Sequence, residues 1–212
     1  MYDDKQRKYL ENIVQGNVIE GRNDIATTIR NHLCKSYTAS NVAERKFEYF
    51  QRIKKEQASI IAEISSYNLW WLNDFSNSYQ YLTEGGEAKI YLSNCGTKVL
   101  KINDAVYYNT WLDFFNSILL HNFYFTNTNY NLTGFVIDNE TLFAIVEQPY
   151  IIANKLTDID SIKTHLIANG FEHKKRYDYF NKTLGISLED IHDENVLTFN
   201  DTLFFIDTFF SL

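Results

Sequence analysis

The residues best suited to chemistry lie in the last quarter of the sequence. Asp190-Ile-His192-Asp-Glu-Asn195 is followed by Val-Leu-Thr-Phe, a turn at Asn200-Asp201, and then Leu203-Phe-Phe-Ile-Asp207. A carboxylate followed five residues on by an amide, with a second carboxylate returned by a hairpin, suits phosphoryl transfer. One carboxylate (Asp190) orients and deprotonates an acceptor hydroxyl. The amide and the second carboxylate (Asn195 and Asp207) hold magnesium on nucleotide phosphates. Asp207 closes an apolar run, where an unpaired charge is costly and a cation would compensate it.

Plainer readings exist for each residue. Ser187 and Asp190 fit an S-x-x-D cap, which would make Asp190 only the start of a helix. Asn200-Asp201 suits any tight turn, and Asp207 stands near the end of the sequence. The order and spacing of the three together favour the chemical reading.

A second set precedes it. Glu84-Gly85-Gly86-Glu87 is followed by Ala88-Lys-Ile-Tyr-Leu and then by Lys98-Val-Leu-Lys101-Ile. Glycines between strands let a backbone approach phosphates closely, and a lysine on the next strand can reach the α and β phosphates. Gly-Gly here also serves as an ordinary hairpin turn, and a strand lysine can simply snorkel. Lys98 is a rival to Lys101 at the opposite strand parity, and the Val-Leu-Lys-Ile setting favours Lys101.

These residues need elements to position them. Residues 1–75 read as helical: Asn41 and Glu44 suit a capping box, and Phe47, Phe50, Ile53, Ile60, Ile61 and Ile64 recur at helical spacing. The Trp70-Trp71 pair is expected to pack that segment against the next part of the chain. From residue 79 the pattern becomes strand, Gly turn, strand, Gly turn, strand, then a helix over Thr110–Leu120, then a hairpin around Asp138-Asn-Glu. The order implies an α+β fold with one antiparallel sheet and one crossing helix. Pro149, the only proline, suits a domain crossing, which divides the chain into 1–75, 76–148 and 149–212. Thr157 and Asp160 suggest a capping box for another helix, with Gly170 at its C-cap. A further helical stretch is expected over Tyr177–Leu184, and a short hairpin closes the sequence.

Composition narrows the function classes. Hydrophobic residues make up 45% and aromatics 16% of 212 residues, so the chain is a folded globular protein. A net charge of -7 argues against general nucleic-acid binding, which needs Lys and Arg on phosphates. The two cysteines, Cys34 and Cys95, lack metal-type spacing and read as a reduced pair. The polar N-terminus has no signal-like apolar stretch, and no run is long enough to span a bilayer, so a cytoplasmic location is expected.

The catalytic-type strings resemble the loops of the protein-kinase-like superfamily, closest to aminoglycoside-phosphotransferase-type loops with a His two residues after the Asp. Glu84-Gly-Gly-Glu-Ala-Lys-Ile-Tyr-Leu92, Leu120-His121-Asn122-Phe-Tyr-Phe-Thr126, Glu147-Gln148-Pro149-Tyr-Ile151 and Asp190–Leu197 together resemble one family. It is the serine/threonine/tyrosine-kinase-like domain of polyvalent proteins of bacterial mobile elements. Thr28-Ile-Arg30-Asn31-His-Leu-Cys34-Lys-Ser-Tyr37 also resembles its helical lead-in, so the likeness covers roughly 20–212. The resemblance implies a bilobal protein-kinase-like fold. It would have a small antiparallel-sheet lobe, a minimal truncated C-terminal lobe and an N-terminal helical extension.

It further implies ATP and Mg2+ as cofactors, Asp190 as base, Asn195 and Asp207 as metal ligands, and Lys101 on the phosphates. Gly85 and Gly86 would lie in the cover loop, with Glu147 and Gln148 at the adenine hinge. His192 would brace the loop, and His121 would pack after the crossing helix. The family pattern is not complete. Ala88 replaces a third glycine, and no Glu occurs between residues 105 and 139 to pair Lys101, leaving Asp113 or Glu87. Five residues follow Asp207, without the segments that grip a peptide in a regular protein kinase. The expected partners are a nucleotide and a hydroxyl acceptor, on a protein or a small molecule. The alternative function is a pseudokinase or nucleotide-sensing module without turnover.

Overall fold

The computed structural model describes residues 2–37, 47–86 and 88–212. The Asn41–Glu44 capping box and Glu87 lie outside the described residues. The chain is α+β with antiparallel sheets, and it forms two compact units. One comprises Met1–Asn17, Asn116–Asn129 and Ile151–Leu212, the other Val18–Phe115 and Tyr130–Tyr150. Among the described residues no helix is long and apolar enough to cross a membrane.

The second unit holds helices α2 (Ile25–Tyr37) and α3 (Phe47–Asn68) and a five-stranded sheet. Its strands are β1 (Tyr79–Glu84), β2 (Ala88–Ser93), β3 (Lys98–Asn103), β4 (Asn131–Asp138) and β5 (Thr141–Pro149), in the order β1-β2-β3-β5-β4. The hairpins arise from turn chemistry. Asn139 and Glu140 both take left-handed φ, 46° and 63°, which matches the twist of β4 and β5. Pro149, which has no N–H, ends β5 opposite Lys98. Leu100, Ile145 and Val146 at the sheet centre are buried, and Phe115 packs edge-on against Phe135 of β4. Trp70 and Trp71 do tie the helical segment to the sheet: the Trp70 carbonyl accepts from Phe135 N at 2.9 Å, and Trp71 bridges Phe135.

The crossing helix α4 (Trp111–Tyr124) runs four residues past the expected Leu120, and its second half belongs to the first unit. That unit also holds α1 (Asp4–Val14), a 3₁₀ turn (Thr126–Thr128) and α5 (Ile159–Ala168). Its strands form a four-stranded sheet and a hairpin. The sheet contains β6 (Glu172–Lys175), β7 (Asp178–Asn181), β8 (Ile186–Glu189) and β11 (Phe209–Ser211), in the order β11-β8-β7-β6. The hairpin is β9 (Val196–Phe199) with β10 (Thr202–Phe205). As the sequence suggests, Asn200 and Asp201 make its turn, with φ 47° and 61°.

Two expectations and one alternative reading fail here for local reasons. Tyr177–Leu184 is not helical: Tyr179 and Asn181 are buried alternately in β7, and Tyr179 pairs with Leu188. Asn181 then closes the turn, its Oδ1 accepting from Leu184 N, with Gly185 left-handed at φ 70°. The cap of α5 is Asp158 rather than Thr157. Its carboxylate takes the N–H of Ser161 at 3.0 Å, while the Thr157 hydroxyl bonds that of Thr198. Gly170 does terminate this helix in the left-handed conformation, at φ 83°. Ser187 lies within β8, so Asp190 caps no helix.

Candidate functional site

Asp190 leaves the end of β8 with φ 60°, a left-handed conformation that Asp tolerates better than most residues. The loop it opens is closed from within. Asn195 Nδ2 donates to the Asp190 carbonyl at 2.9 Å and approaches Asp190 Oδ2 at 3.4 Å. That assigns the amide: with Nδ2 held by Asp190, Oδ1 is the oxygen left to meet a cation. The Asp190 side chain is 70% exposed. His192 braces the loop. Its Nδ1 faces Glu194 N at 3.3 Å, its carbonyl accepts from Val196 N, and its ring packs 5.4 Å from that of Tyr177.

Asp207 reaches the same loop through the β9–β10 hairpin. The Asn195 carbonyl accepts from Ile206 N at 2.9 Å and from Asp207 N at 3.3 Å. Strand β11 then pairs Phe209 with Glu189, the residue before Asp190, and Ser211 Oγ donates to Glu189 Oε1. Asp190, Asn195 and Asp207 therefore form one cluster within the first unit. Among the described residues no group of three or more His, Cys, Asp or Glu is placed to hold a metal ion. Asn195 Oδ1 and the Asp207 carboxylate are the oxygens of this loop that would suit Mg2+, a hard cation that often takes one or two protein oxygens and completes its shell with water and phosphate.

The remaining predicted residues lie in the second unit. Directly paired residues of an antiparallel sheet share a face. Lys101 pairs with Val146 and Val99 with Gln148, so Lys101 and Gln148 lie on one face. Lys101 Nζ stands over the Tyr130 ring, 5.3 Å from its centroid. Glu147 lies on the opposite face, where its carboxylate accepts from Lys98 Nζ and from Tyr79 OH, both at 2.7 Å. Burial alone would raise the Glu147 pKa, but these two hydrogen bonds and the Lys98 charge bring it below the ordinary value. Lys98 thus pairs with Glu147 on one face of the strand, and Lys101 lies on the other. Gly85 and Gly86 form the β1–β2 turn, closed by Gly85 N on the Ala88 carbonyl. A side chain at Gly86 would meet the Tyr107 hydroxyl.

Asp113, weighed as a partner for Lys101, is used otherwise. It forms a reciprocal cap with Thr110 at the start of α4, accepting from Thr110 N and Oγ1 while Thr110 Oγ1 accepts from Asp113 N. Burial raises its pKa, opposed by the Thr110 bonds and the charge of Lys54. Lys54, itself pushed down by burial, donates to the carbonyls of Ala105 and Tyr108. No local pattern announces this arrangement, because the lysine and the cap are more than 50 residues apart.

A family model, Serine/Threonine/Tyrosine Kinase found in polyvalent proteins, matches residues 54–212. The chain belongs to that family. The match to the polyvalent-protein kinases begins within α3, so the lead-in over Thr28–Tyr37 lies outside it and the likeness is narrower than the motifs suggested. It does take in both clusters described above, which makes this a kinase-like transferase chain by family. No curated protein and no solved structure matches it. Motif reading of this kinase chain missed Thr208, which follows Asp207 and bonds the buried His121. Its only sequence signal was a hydroxyl residue inside an aromatic run.

Proposed function

We propose that this chain is an ATP- and magnesium-dependent phosphotransferase that moves the γ-phosphoryl group to a hydroxyl acceptor on a protein side chain or a small molecule. The reading includes a bilobal protein-kinase-like fold with a small sheet lobe and a minimal C-terminal lobe. The observation that carries it is the hydrogen-bonded cluster of Asp190, Asn195 and Asp207 in a chain of a kinase family.

In this reading the exposed Asp190 carboxylate accepts the proton of the acceptor hydroxyl. The hydroxyl oxygen then bonds to the γ-phosphorus while the bond to the β–γ bridging oxygen breaks and ADP leaves. Asn195 Oδ1 and the Asp207 carboxylate would hold Mg2+, whose charge offsets that of the phosphates. Lys101 binds the α and β phosphates. Gly85 and Gly86 lie over the nucleotide, and Gln148, on the Lys101 face, serves the base. Glu147, with its carboxylate committed to Lys98 and Tyr79, contributes through its backbone. Incubation with labelled ATP and Mg2+ tests the proposal. Asp190→Ala should lower turnover by about 10²–10⁴-fold, the usual contribution of a general base, and Lys101→Met should abolish it. Unchanged activity in both variants overturns it.

A second reading, nucleotide binding without turnover, is favoured by the commitment of Asp113 to the α4 cap. A thermal shift with ATP and Mg2+ but no transfer to any acceptor would select it.

A further inference from the structure

His121 is fully buried in the second half of α4, and both ring nitrogens are occupied. Nε2 lies 2.8 Å from the Thr128 carbonyl and Nδ1 2.7 Å from Thr208 Oγ1. A carbonyl can only accept, so Nε2 carries the proton. In the neutral imidazole Nδ1 then presents a lone pair, to which the Thr208 hydroxyl donates. One turn earlier on the same helix, Ser117 Oγ accepts from Phe210 N at 3.0 Å. Helix positions 117 and 121 share a face, and on that face they meet Phe210 of β11 and Thr208, which stands just before that strand. Thr208 and Phe210 are buried, while Asp207 before them and Phe209 between them are partly exposed. The helix thus holds Thr208 and Phe210, the residues on either side of Phe209.

On its other side the segment is held by the Asn195 carbonyl, which takes the N–H of Ile206 and of Asp207. Asp207 is bracketed. We infer that the His121–Thr208 hydrogen bond sets the position of the Asp207 carboxylate, so that His121 and Thr208 are positioning residues for metal binding. The role of Asp207 as a ligand rests on the function proposed above; the anchoring itself does not. A buried imidazole that only stabilised the fold would serve as well bonded to any nearby group. This one instead bonds the residue next to the carboxylate, 87 positions away in sequence. Partners behind a metal ligand commonly change metal affinity when removed.

Thr208→Val keeps the shape of the side chain and removes the donor, whereas Thr208→Ser keeps the donor. Two measurements separate the possibilities: calorimetric ATP affinity with and without Mg2+, and amide hydrogen exchange at Ile206 and Asp207 in the nucleotide-free protein. Thr208→Val should cut the gain in ATP affinity given by Mg2+ by about 10-fold or more, the scale seen for such partners. Affinity for ATP alone should stay within about 2-fold, exchange at the two amides should rise, and Thr208→Ser should restore both readouts. If Thr208→Val does not fold, His121→Gln is read the same way, since it keeps a donor for Thr128 but displaces the acceptor for Thr208. A folded Thr208→Val protein with wild-type exchange and wild-type Mg2+ dependence overturns the inference. Raised exchange with an unchanged Mg2+ gain reduces the bond to a structural one and also overturns it. If the wild-type protein binds no ATP at all, the proposed function and the metal role fall together, while raised exchange would still establish the anchoring.

Discussion

Replacing Asn195 by Asp is a near-isosteric change that puts the amide assignment of the loop at risk. At present Asn195 Nδ2 stands 2.9 Å from the Asp190 carbonyl and 3.4 Å from Asp190 Oδ2. In Asn195→Asp a carboxylate oxygen takes that place. Two unit charges 3.4 Å apart repel by about 1 kcal/mol at the dielectric constant of water and about 5 kcal/mol at an effective value of 20. Asp190 is 70% exposed, so the lower figure governs. The lost amide–carbonyl hydrogen bond adds about 1 kcal/mol. The sum, about 2 kcal/mol, corresponds to a fall in Tm of about 4–8 °C for a chain of this size. The assay is thermal denaturation of wild type and variant, at neutral pH and near pH 4. The repulsive part should shrink at the lower pH as one of the paired carboxyls takes up a proton, and it should also shrink in high salt. Equal Tm values at neutral pH would refute the reasoning, because Nδ2 would then not be the atom facing Asp190.

The same geometry supports further expectations. Gly134→Ala would place a methyl group 2.4 Å from the Trp70 carbonyl oxygen, which holds Phe135 N. Overpacking and loss of that bond should cost about 3 kcal/mol, read as a Tm drop of about 6–12 °C; a smaller drop than about 2 °C would show that the backbone yields. Glu147 is held below its ordinary pKa, so its contribution is present at neutral pH and lost as pH falls through the folded value. The stability gap between wild type and Glu147→Gln should accordingly close below about pH 4, and a gap independent of pH would count against the Lys98–Glu147–Tyr79 cluster. Cys95 is exposed and its pKa is brought down to about 7, mainly by the hydroxyls of Ser93 and Thr97, whereas burial raises that of Cys34. Alkylation should therefore label Cys95 first with a midpoint near pH 7, and Thr97→Val should move that midpoint upward; preferential labelling of Cys34 would contradict the placement.

Local signals in the sequence determined much of this protein. Glycines and Asn/Asp pairs between β-branched and aromatic runs marked the hairpins of the five-stranded sheet and the β9–β10 turn. The D-x-x-x-x-N spacing marked the loop, and strand parity separated Lys101 from Lys98. These features depend on a few neighbouring residues, so they can be read without knowing what lies opposite. Tyr177–Leu184 shows the limit: its residues are compatible with a helix, and only pairing with β8 makes them a strand. The cap of α5 was missed by one residue because Thr157 and Asp158 are both good caps, and Thr198 claims the Thr157 hydroxyl. The Lys54 charge acting on Asp113, Glu147 facing Lys98, and His121 bonded to Thr208 were likewise decided only in the tertiary structure. Each joins side chains that packing brings together from other elements, and a burial-driven contact of that kind has no periodicity or spacing to announce it.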